Sequence, residues 1–292
     1  MSRGDAVALL GAGSTMGLPM ARHIAHGGIE LRAWNRTRDK AEPAADDGAQ
    51  VCGTPGEAAE GAGVILTMLA DADAVVSSAR EALPAAREDA VWLQMSTIGE
   101  QGTDQCLELA RAHDISFFDA PVLGTKQPAE EGKLVVLASG PSELRDRVQP
   151  IFDAVGSKTI WVGDAGTGTR LKIATNSWVL AVTEGCAETI ALAQGLGLDP
   201  RLLFEAFDGG TLDLPYFRIK GKAIVERKFE PSFRLHLAAK DADLVVQAAR
   251  RHDLDLPLFA TVRERMQEGA AEHGDEDMAA TWFTSAPQGV AA

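Results

Sequence analysis

The chain has 292 residues, of which 46% are hydrophobic and 24% are charged, and its formal net charge is -14. This length favours two domains over one, and the composition is typical of a folded globular protein rather than of a disordered or fibrous one. The negative charge disfavours nucleic acid and acidic membrane surfaces as partners, so an anionic ligand would need a local basic patch or backbone N–H groups.

The cysteines Cys52, Cys106 and Cys186 are odd in number and widely separated, with no spacing typical of a disulfide framework or a metal site. We therefore expect reduced thiols and no bound metal. The N-terminus lacks the pattern of a signal peptide, and no apolar run is long enough to span a bilayer. These features predict a cytoplasmic protein without a membrane partner.

Short apolar runs alternate with longer helical patterns in the first half of the sequence. The runs lie at 6–10, 29–34, 64–68, 91–94 and 115–118, and two more, at 134–138 and 159–162, flank a helical stretch at 142–155. Continuous apolar runs are typical of strands that are buried on both faces. This alternation predicts a doubly wound parallel α/β sheet over residues 1–164.

The pattern changes in the second part of the chain, where most segments have a period near 3.6. Residues 165–292 are therefore predicted to form an all-α domain, whose first helix runs from about 169 to about 196. Such a helix would be roughly 40 Å long at 1.5 Å per residue, so we expect it to join the two domains. The helices that follow present more apolar surface than one domain covers, which predicts a homodimer or homotetramer.

A glycine-rich turn at positions 11–17 follows the first expected strand and opens a helix. Glycines at this place permit a tight turn and close approach of a pyrophosphate, while the helix N-terminus supplies N–H donors. Gly17 comes one residue later than the G-x-G-x-x-G pattern requires, so we expect a wider loop. The turn indicates a Rossmann-type dinucleotide site, with contacts from Gly11, Gly13, Ser14, Thr15 and Met16.

The end of the second expected strand distinguishes between the two nicotinamide cofactors. An acidic residue there would bind the ribose hydroxyl of NAD, but the sequence has Asn35, Arg36 and Thr37, with Arg38 following. A planar guanidinium suits bidentate pairing with a 2′-phosphate. The sequence therefore predicts NADP(H), held in part by Asn35, Arg36 and Thr37.

Taken together, these segments resemble the β-hydroxyacid dehydrogenase family over nearly the whole chain. The residues that carry the resemblance are Gly11-Ala-Gly13, Met16-Gly17-Leu-Pro-Met20, Asn35-Arg36-Thr37, Ser96-Thr97, Asp119-Ala-Pro121-Val, Gly166-Thr-Gly168, Lys172, Asn176 and Lys240-Asp241. The loop at 124–132 is most similar to that of the glyoxylate/succinic semialdehyde reductases, which prefer NADPH. The resemblance implies an enzyme that reduces a small aldehyde or keto acid, or oxidises a β-hydroxyacid in the reverse direction.

The resemblance also implies roles for individual residues. Lys172 would be the general acid/base, and Asn176 would bind the substrate or position the lysine. The two residues share a helix face, because they are four positions apart. Further cofactor contacts are expected from Met68, Leu69, Ser96, Thr97 and Lys240, and further substrate contacts from Ser96, Leu123, Gly124, Thr125 and Lys240.

Leu123 departs from the family, since most members have a serine before Gly124. Leucine cannot donate a hydrogen bond, which weakens the expectation of a small polar hydroxyacid, although Lys126 is a candidate for a replacement charge. Two alternatives stay open. An imine reductase is favoured by Leu123 but disfavoured by Lys172, because those enzymes usually have Asp or Tyr at that position. A catalytically silent NADP-binding scaffold is disfavoured by the presence of Lys172 and Asn176.

Overall fold

The computed structural model describes residues 5–286, which divide into two compact units. One unit ends at Lys172 and the other begins at Ile173, so the division falls inside a long helix. The domain ranges predicted from the sequence, 1–164 and 165–292, include four positions at the start and six at the end that lie outside the described residues.

One mixed sheet forms the centre of the first unit. Its strands are β1 Val7–Leu10, β2 Leu31–Trp34, β3 Gln50–Val51, β4 Val64–Thr67, β5 Val91–Gln94, β6 Ser116–Asp119, β7 Val122–Leu123, β8 Leu134–Ser139 and β9 Gly156–Gly163. They follow the order β3-β2-β1-β4-β5-β6-β8-β7, with β9 paired to β8. The chain therefore turns to the opposite side of β1 after β3, as in a doubly wound nucleotide-binding sheet.

The seven predicted strand runs coincide with β1, β2, β4, β5, β6, β8 and β9. The two further strands, β3 and β7, have two residues each and carry no run that a sequence pattern could detect. The sheet is predominantly parallel, as the sequence predicts, and departs from this where β8 is antiparallel to β6 and β7. Only the segment 124–133 joins β7 to β8, which is too short for a parallel crossover.

Helices cover both faces of this sheet. They are α1 Gly17–His26, α2 Pro55–Ala59, α3 Ala72–Ala82, α4 Gly99–Ala112, α5 Lys126–Glu130 and α6 Arg145–Val155, with 3-10 turns at Arg38–Lys40, Glu42–Asp47, Leu83–Ala85 and Ser142–Leu144. Along β1, Val7 and Leu9 pack in one apolar cluster with α1 and α6, while Ala8 and Leu10 pack in another with α2, α3 and α4. This alternation places one core on each face of the sheet.

The second unit is helical. Its elements are α7 Thr167–Gly195, which begins in the first unit, α8 Leu202–Phe207, α9 Pro215–Val225, α10 Leu235–Arg251, α11 Pro257–His273 and a 3-10 helix at Met278–Thr284. Helix α7 agrees with the predicted helix at 169–196 to within two residues at each end. Between β9 and residue 286 the chain forms no further strand, so the predicted fold class is confirmed.

Two further observations concern the whole described chain. None of the helices within residues 5–286 is both long and apolar enough to cross a membrane. Cys52, Cys106 and Cys186 are all buried and free, as the sequence predicts.

Candidate active site

The turn after β1 is shaped by glycines that have no room for a side chain. Gly11 has a φ of 103°, and a Cβ atom there would overlap the carbonyl oxygen of Met68. At Gly13 a Cβ atom would lie 2.6 Å from the Cβ of Lys40, and at Gly17 it would overlap the carbonyl oxygen of Gly11. Gly17 therefore provides the close packing expected of the third glycine, although it comes one residue late.

The outer side of this turn exposes backbone donors. Ser14 closes the turn from inside, because its Oγ accepts a hydrogen bond from Gly17 N at 2.8 Å and donates to the Met68 carbonyl at 3.4 Å. In the part of the chain that the structure describes, the N–H groups of Thr15 and Met16 have no acceptor. Two free donors at the start of α1 suit a pyrophosphate, so this turn fits a dinucleotide.

The residues after β2 lie beside the same turn. Asn35 Oδ1 accepts from Gly13 N at 3.3 Å, and its Nδ2 donates to the Thr37 carbonyl at 2.8 Å. Arg36 and Thr37 are exposed. Arg38 pairs with Glu42 at 2.8 Å, whereas Arg36 forms no ion pair or side-chain hydrogen bond with any residue from 5 to 286. The Arg36 guanidinium is thus available to an anionic ligand.

The ends of β4 and β5 complete this edge of the sheet. Met68 is buried and Leu69 is half-buried, and Ser96 is only 1% exposed. Ser96 Oγ accepts from Leu69 N at 2.8 Å and donates to the Thr67 carbonyl at 3.3 Å. The Ser96 hydroxyl therefore holds the backbone of Leu69 in place. Thr97, the next residue after Ser96, is half-buried. Because β1, β2, β4 and β5 are parallel, their carboxyl ends bring all these predicted cofactor residues to one edge.

The end of β7 and the segment after it contain three of the expected substrate residues, Leu123, Gly124 and Thr125. Leu123 pairs with Val135 across β7 and β8 and is half-buried, as is Thr125. Gly124 is exposed and has a φ of 131°, so a side chain at this position would be strained. The Lys126 ammonium lies 3.8 Å from the Glu130 carboxylate, which partly balances its charge.

Lys172 and Asn176 occupy consecutive turns of α7. They are 8% and 6% exposed, which is low for a lysine and an asparagine. Asn176 Nδ2 donates to Asp241 Oδ2 at 2.6 Å, and the other oxygen of Asp241 lies 3.1 Å from the Lys240 ammonium. The second unit therefore gathers Asn176, Lys240 and Asp241. Asp241 had no role predicted from the sequence, where it appeared only as part of the Lys240-Asp241 pair.

Two family models match the chain. Residues 6–163 match the model described as the NAD binding domain of 6-phosphogluconate dehydrogenase. Residues 166–282 match the model described as NAD-binding of NADP-dependent 3-hydroxyisobutyrate dehydrogenase.

Relatives and solved structures agree with these models. The chain is 28% identical to glyoxylate/succinic semialdehyde reductase 2 of Arabidopsis thaliana, over 94% of this chain and 77% of the relative. It is 30% identical to 3-sulfolactaldehyde reductase of Escherichia coli, over 94% of both chains. A structure of Mycobacterium tuberculosis 3-hydroxyisobutyrate dehydrogenase with L-serine has a TM-score of 0.87 and 27% identity, covering 96% of this chain and 99% of its own. An imine reductase from Myxococcus stipitatus with NADP+ shares the fold alone, at a TM-score of 0.65 and 18% identity over 94% of this chain and 98% of its own.

These matches and the glycine turn define an NAD(P)-dependent oxidoreductase that acts on a CH–OH or C=O group. The chain belongs to the β-hydroxyacid dehydrogenase family, in which it is similar to 3-hydroxyisobutyrate dehydrogenases and semialdehyde reductases. The family and the enzyme class predicted from the sequence are confirmed, and the alternative of a silent scaffold is thereby set aside.

Proposed function

We propose that this enzyme uses NADPH to reduce a small aldehyde or keto acid of the glyoxylate or succinic semialdehyde type, with Lys172 as the proton donor. The observation that carries the proposal is the burial of Lys172, one helical turn before an asparagine whose amide is held by a buried carboxylate. A lysine is seldom buried to this extent without a functional or structural partner. The relatives named as semialdehyde reductases support the same substrate class.

The preference for NADPH rests on Arg36. Its guanidinium is exposed, and the neighbouring cation, Arg38, is already paired with Glu42. In a protein with a net charge of -14, a 2′-phosphate needs such a local cation. The pyrophosphate would be held by the N–H groups of Thr15 and Met16 at the start of α1.

The bound nicotinamide supplies the hydride, and the chain supplies the proton and the orientation. The Lys172 ammonium donates a proton to the carbonyl oxygen as negative charge develops there, so that one hydride and one proton convert C=O into CH–OH. In the reverse oxidation the neutral amine accepts that proton. One N–H of Asn176 Nδ2 is bonded to Asp241, which orients the amide, and Oδ1 can accept a hydrogen bond from the lysine or from a substrate hydroxyl.

Leu123 shapes the substrate preference. A leucine beside Gly124 removes a hydroxyl donor that would select hydroxylated ligands, and it adds apolar surface. We therefore expect better turnover with succinic semialdehyde, which has a methylene chain, than with a hydroxylated aldehyde acid of similar length. Lys126 could attract the carboxylate of such a substrate.

A panel of carbonyl compounds tests the proposal. NADPH consumption is followed by absorbance with glyoxylate, succinic semialdehyde, methylglyoxal and cyclic imines, for the parent enzyme and for Leu123→Ser. The expected result is the highest kcat/KM on an aldehyde acid, with Leu123→Ser shifting the ratio towards hydroxylated substrates. Turnover of the cyclic imines alone would contradict the proposal.

An imine reductase is the second candidate, and Leu123 is the observation that favours it. Apolar surface at this position suits a cyclic imine better than a hydroxyacid. The shared fold with an imine reductase agrees with this candidate but does not distinguish it from the first. The same panel separates the two, because only an imine reductase would reduce the cyclic imines efficiently.

We also infer a homodimer or homotetramer in the cytoplasm. The helical unit exposes apolar side chains that a monomer would leave in water, among them Leu192 at 64%, Leu196 at 67% and Ile219 at 65%. The three free cysteines suit a reducing compartment.

A further inference from the structure

The first turn of α7 is capped by residues from the sheet and not by its own sequence. Gly166 precedes the helix and has no side chain that could accept from the helix N–H groups. Gly168 N instead donates to Ser139 Oγ at 3.0 Å, and Thr169 N donates to Asp119 Oδ2 at 2.7 Å. The start of α7 is therefore fixed by the ends of β8 and β6.

Asp119 holds this turn through both of its oxygens. Its Oδ1 accepts from Thr169 Oγ1 at 2.7 Å, and its Oδ2 accepts from Thr169 N. Asp119 therefore binds both the side chain and the backbone of Thr169. Thr103 on α4 also contacts this hydroxyl, because its Oγ1 lies 3.1 Å from Thr169 Oγ1. A Cβ atom at Gly168 would lie 2.6 Å from the Asp119 carbonyl oxygen. Gly168 is thus packed so closely against the sheet that a side chain does not fit there.

The Asp119 carboxyl is bound by the start of α7 and by Ser139. It is completely buried, and none of the residues from 5 to 286 forms an ion pair with it. Burial raises the pKa of Asp119 to about 6, although the hydrogen bonds from Thr169 and Ser139 act to lower it. Burying such a group is costly unless its acceptor atoms are satisfied. Both oxygens of Asp119 accept from the start of α7, where the helix dipole favours negative charge, and Oδ2 also accepts from Ser139 at 3.4 Å.

We infer that Asp119 is a positioning residue for the reaction, because its hydrogen bonds to Thr169 fix the position of Lys172 on α7. Lys172 is three residues after Thr169 and therefore adjacent to it on the helix surface. The inference rests on the proposed role of Lys172. A misplacement of about 1 Å at a catalytic group can cost on the order of 100-fold in rate, so a loosened first turn should lower kcat.

The test compares variants that loosen this turn with one that loosens a different helix. Asp119→Asn leaves one acceptor oxygen for the two donors of Thr169, Thr169→Val removes the hydroxyl donor, and Thr169→Ser keeps it. The matched control is Thr54→Ala, which removes the side-chain cap that Thr54 Oγ1 provides to Glu57 N at the start of α2. The readouts are kcat, KM, NADPH affinity by fluorescence, melting temperature, and hydrogen exchange of the backbone at 167–172.

We expect Asp119→Asn and Thr169→Val to lower kcat about 10- to 100-fold, with faster exchange at 167–172 and unchanged NADPH affinity. Thr169→Ser should retain most of kcat. Thr54→Ala should lower the melting temperature slightly and leave kcat and the exchange at 167–172 unchanged. If Asp119→Asn does not fold, Thr169→Val carries the same test.

A double-variant cycle with Lys172→Ala asks whether Asp119 acts through the lysine. In the Lys172→Ala background, Asp119→Asn should cause no further loss, and added ethylamine should rescue both proteins equally, since a diffusing amine needs no helix to place it. Equal losses in both backgrounds would overturn the inference, as would normal kcat in Asp119→Asn and Thr169→Val beside an inactive Lys172→Ala. Normal kcat in Lys172→Ala itself would instead overturn the proposed function.

Discussion

Asn176 donates a hydrogen bond of 2.6 Å from Nδ2 to Oδ2 of Asp241, and both side chains are buried. The bond fixes the orientation of the Asn176 amide and uses one of its two N–H donors, which leaves the second N–H and the carbonyl oxygen for a ligand. The opposite oxygen of Asp241 lies 3.1 Å from the Lys240 ammonium. Asp241 therefore connects the two residues of the second unit that the sequence assigns to the site.

Asn176→Ala should weaken both stability and orientation. Removal of the amide leaves a buried oxygen of Asp241 without its donor, which costs about 1–3 kcal/mol of unfolding free energy. KM should rise, and kcat should fall less than in a Lys172 variant, because the proton donor is retained. Urea unfolding and steady-state kinetics measure these effects. Unchanged unfolding and unchanged KM would contradict this role, and Asp241→Asn, which keeps an acceptor for Asn176, should be milder.

Arg36→Ala should abolish most of the preference for NADPH. A charge-assisted contact with the 2′-phosphate contributes about 1.5–3 kcal/mol, which corresponds to roughly a 10- to 150-fold change in NADPH dissociation constant. NADH affinity should hardly change, since NADH has no 2′-phosphate. Fluorescence titration with both cofactors measures the ratio. Arg38→Ala is the matched control and should have a smaller effect, because Arg38 pairs with Glu42; equal affinities in the parent enzyme would refute the assignment.

Glu184 should make stability depend on pH. Burial raises the pKa of Glu184 from 4.5 to about 7, and the exposed carboxylate of Glu188 raises it further, while the Thr281 hydroxyl at 2.7 Å and the charge of Arg265 act to lower it. Because the folded-state pKa lies above the unfolded value, the stabilising effect of protonation is fully present below pH 4.5 and is lost as pH rises through about 7.

Glu184→Gln, which resembles the protonated form, should therefore be more stable than the parent above about pH 7, by at most roughly 3 kcal/mol. The two proteins should unfold alike below about pH 4.5. Chemical denaturation across this range measures the difference. Glu188→Gln is the control and should give a much smaller effect, since Glu188 is exposed. A Glu184→Gln protein that is less stable than the parent at every pH would contradict the prediction.

The apolar residues exposed on the helical unit predict association in solution. Light scattering at micromolar concentration should give the mass of two or four chains of 30.9 kDa. A charge placed among these residues, as in Leu196→Glu, should shift the mass towards one chain, because burying that charge in an interface is unfavourable. A monomeric parent protein would disprove the association.

Apolar patterns in the sequence predicted those strands and helices whose formation depends on their own residues. The runs at 64–68 and 91–94 became β4 and β5 because a strand buried on both faces needs apolar residues throughout. The antiparallel edge at β8 was not predictable, since it depends on a short connection and on β7, a strand of two residues.

In the candidate site, too, features that depend on neighbouring residues could be predicted, and contacts between residues far apart in the sequence could not. The glycine turn and Arg36 could be predicted as candidate cofactor contacts because each follows directly after a strand that the sequence pattern indicates. The partner of Asn176 is 65 residues away, and the cap of α7 comes from Asp119, 50 residues before Thr169. Neither contact has a spacing that a sequence pattern could detect. The predicted ligand contact of Ser96 stays a prediction, and the bonds of its hydroxyl to Leu69 and Thr67 were not part of it.

The last prediction concerns the chemistry at Lys172. Lys172→Met keeps a long side chain but has no proton to donate, and removal of a general acid costs about 10²- to 10⁴-fold in rate. NADPH affinity should stay near that of the parent, because the lysine acts on the carbonyl oxygen and not on the phosphates. Steady-state kinetics should therefore show that turnover is lost, and fluorescence titration should show that NADPH binding is retained. A Lys172→Met enzyme with near-normal kcat on its best substrate would exclude this mechanism and would direct attention to Lys240 and Lys126.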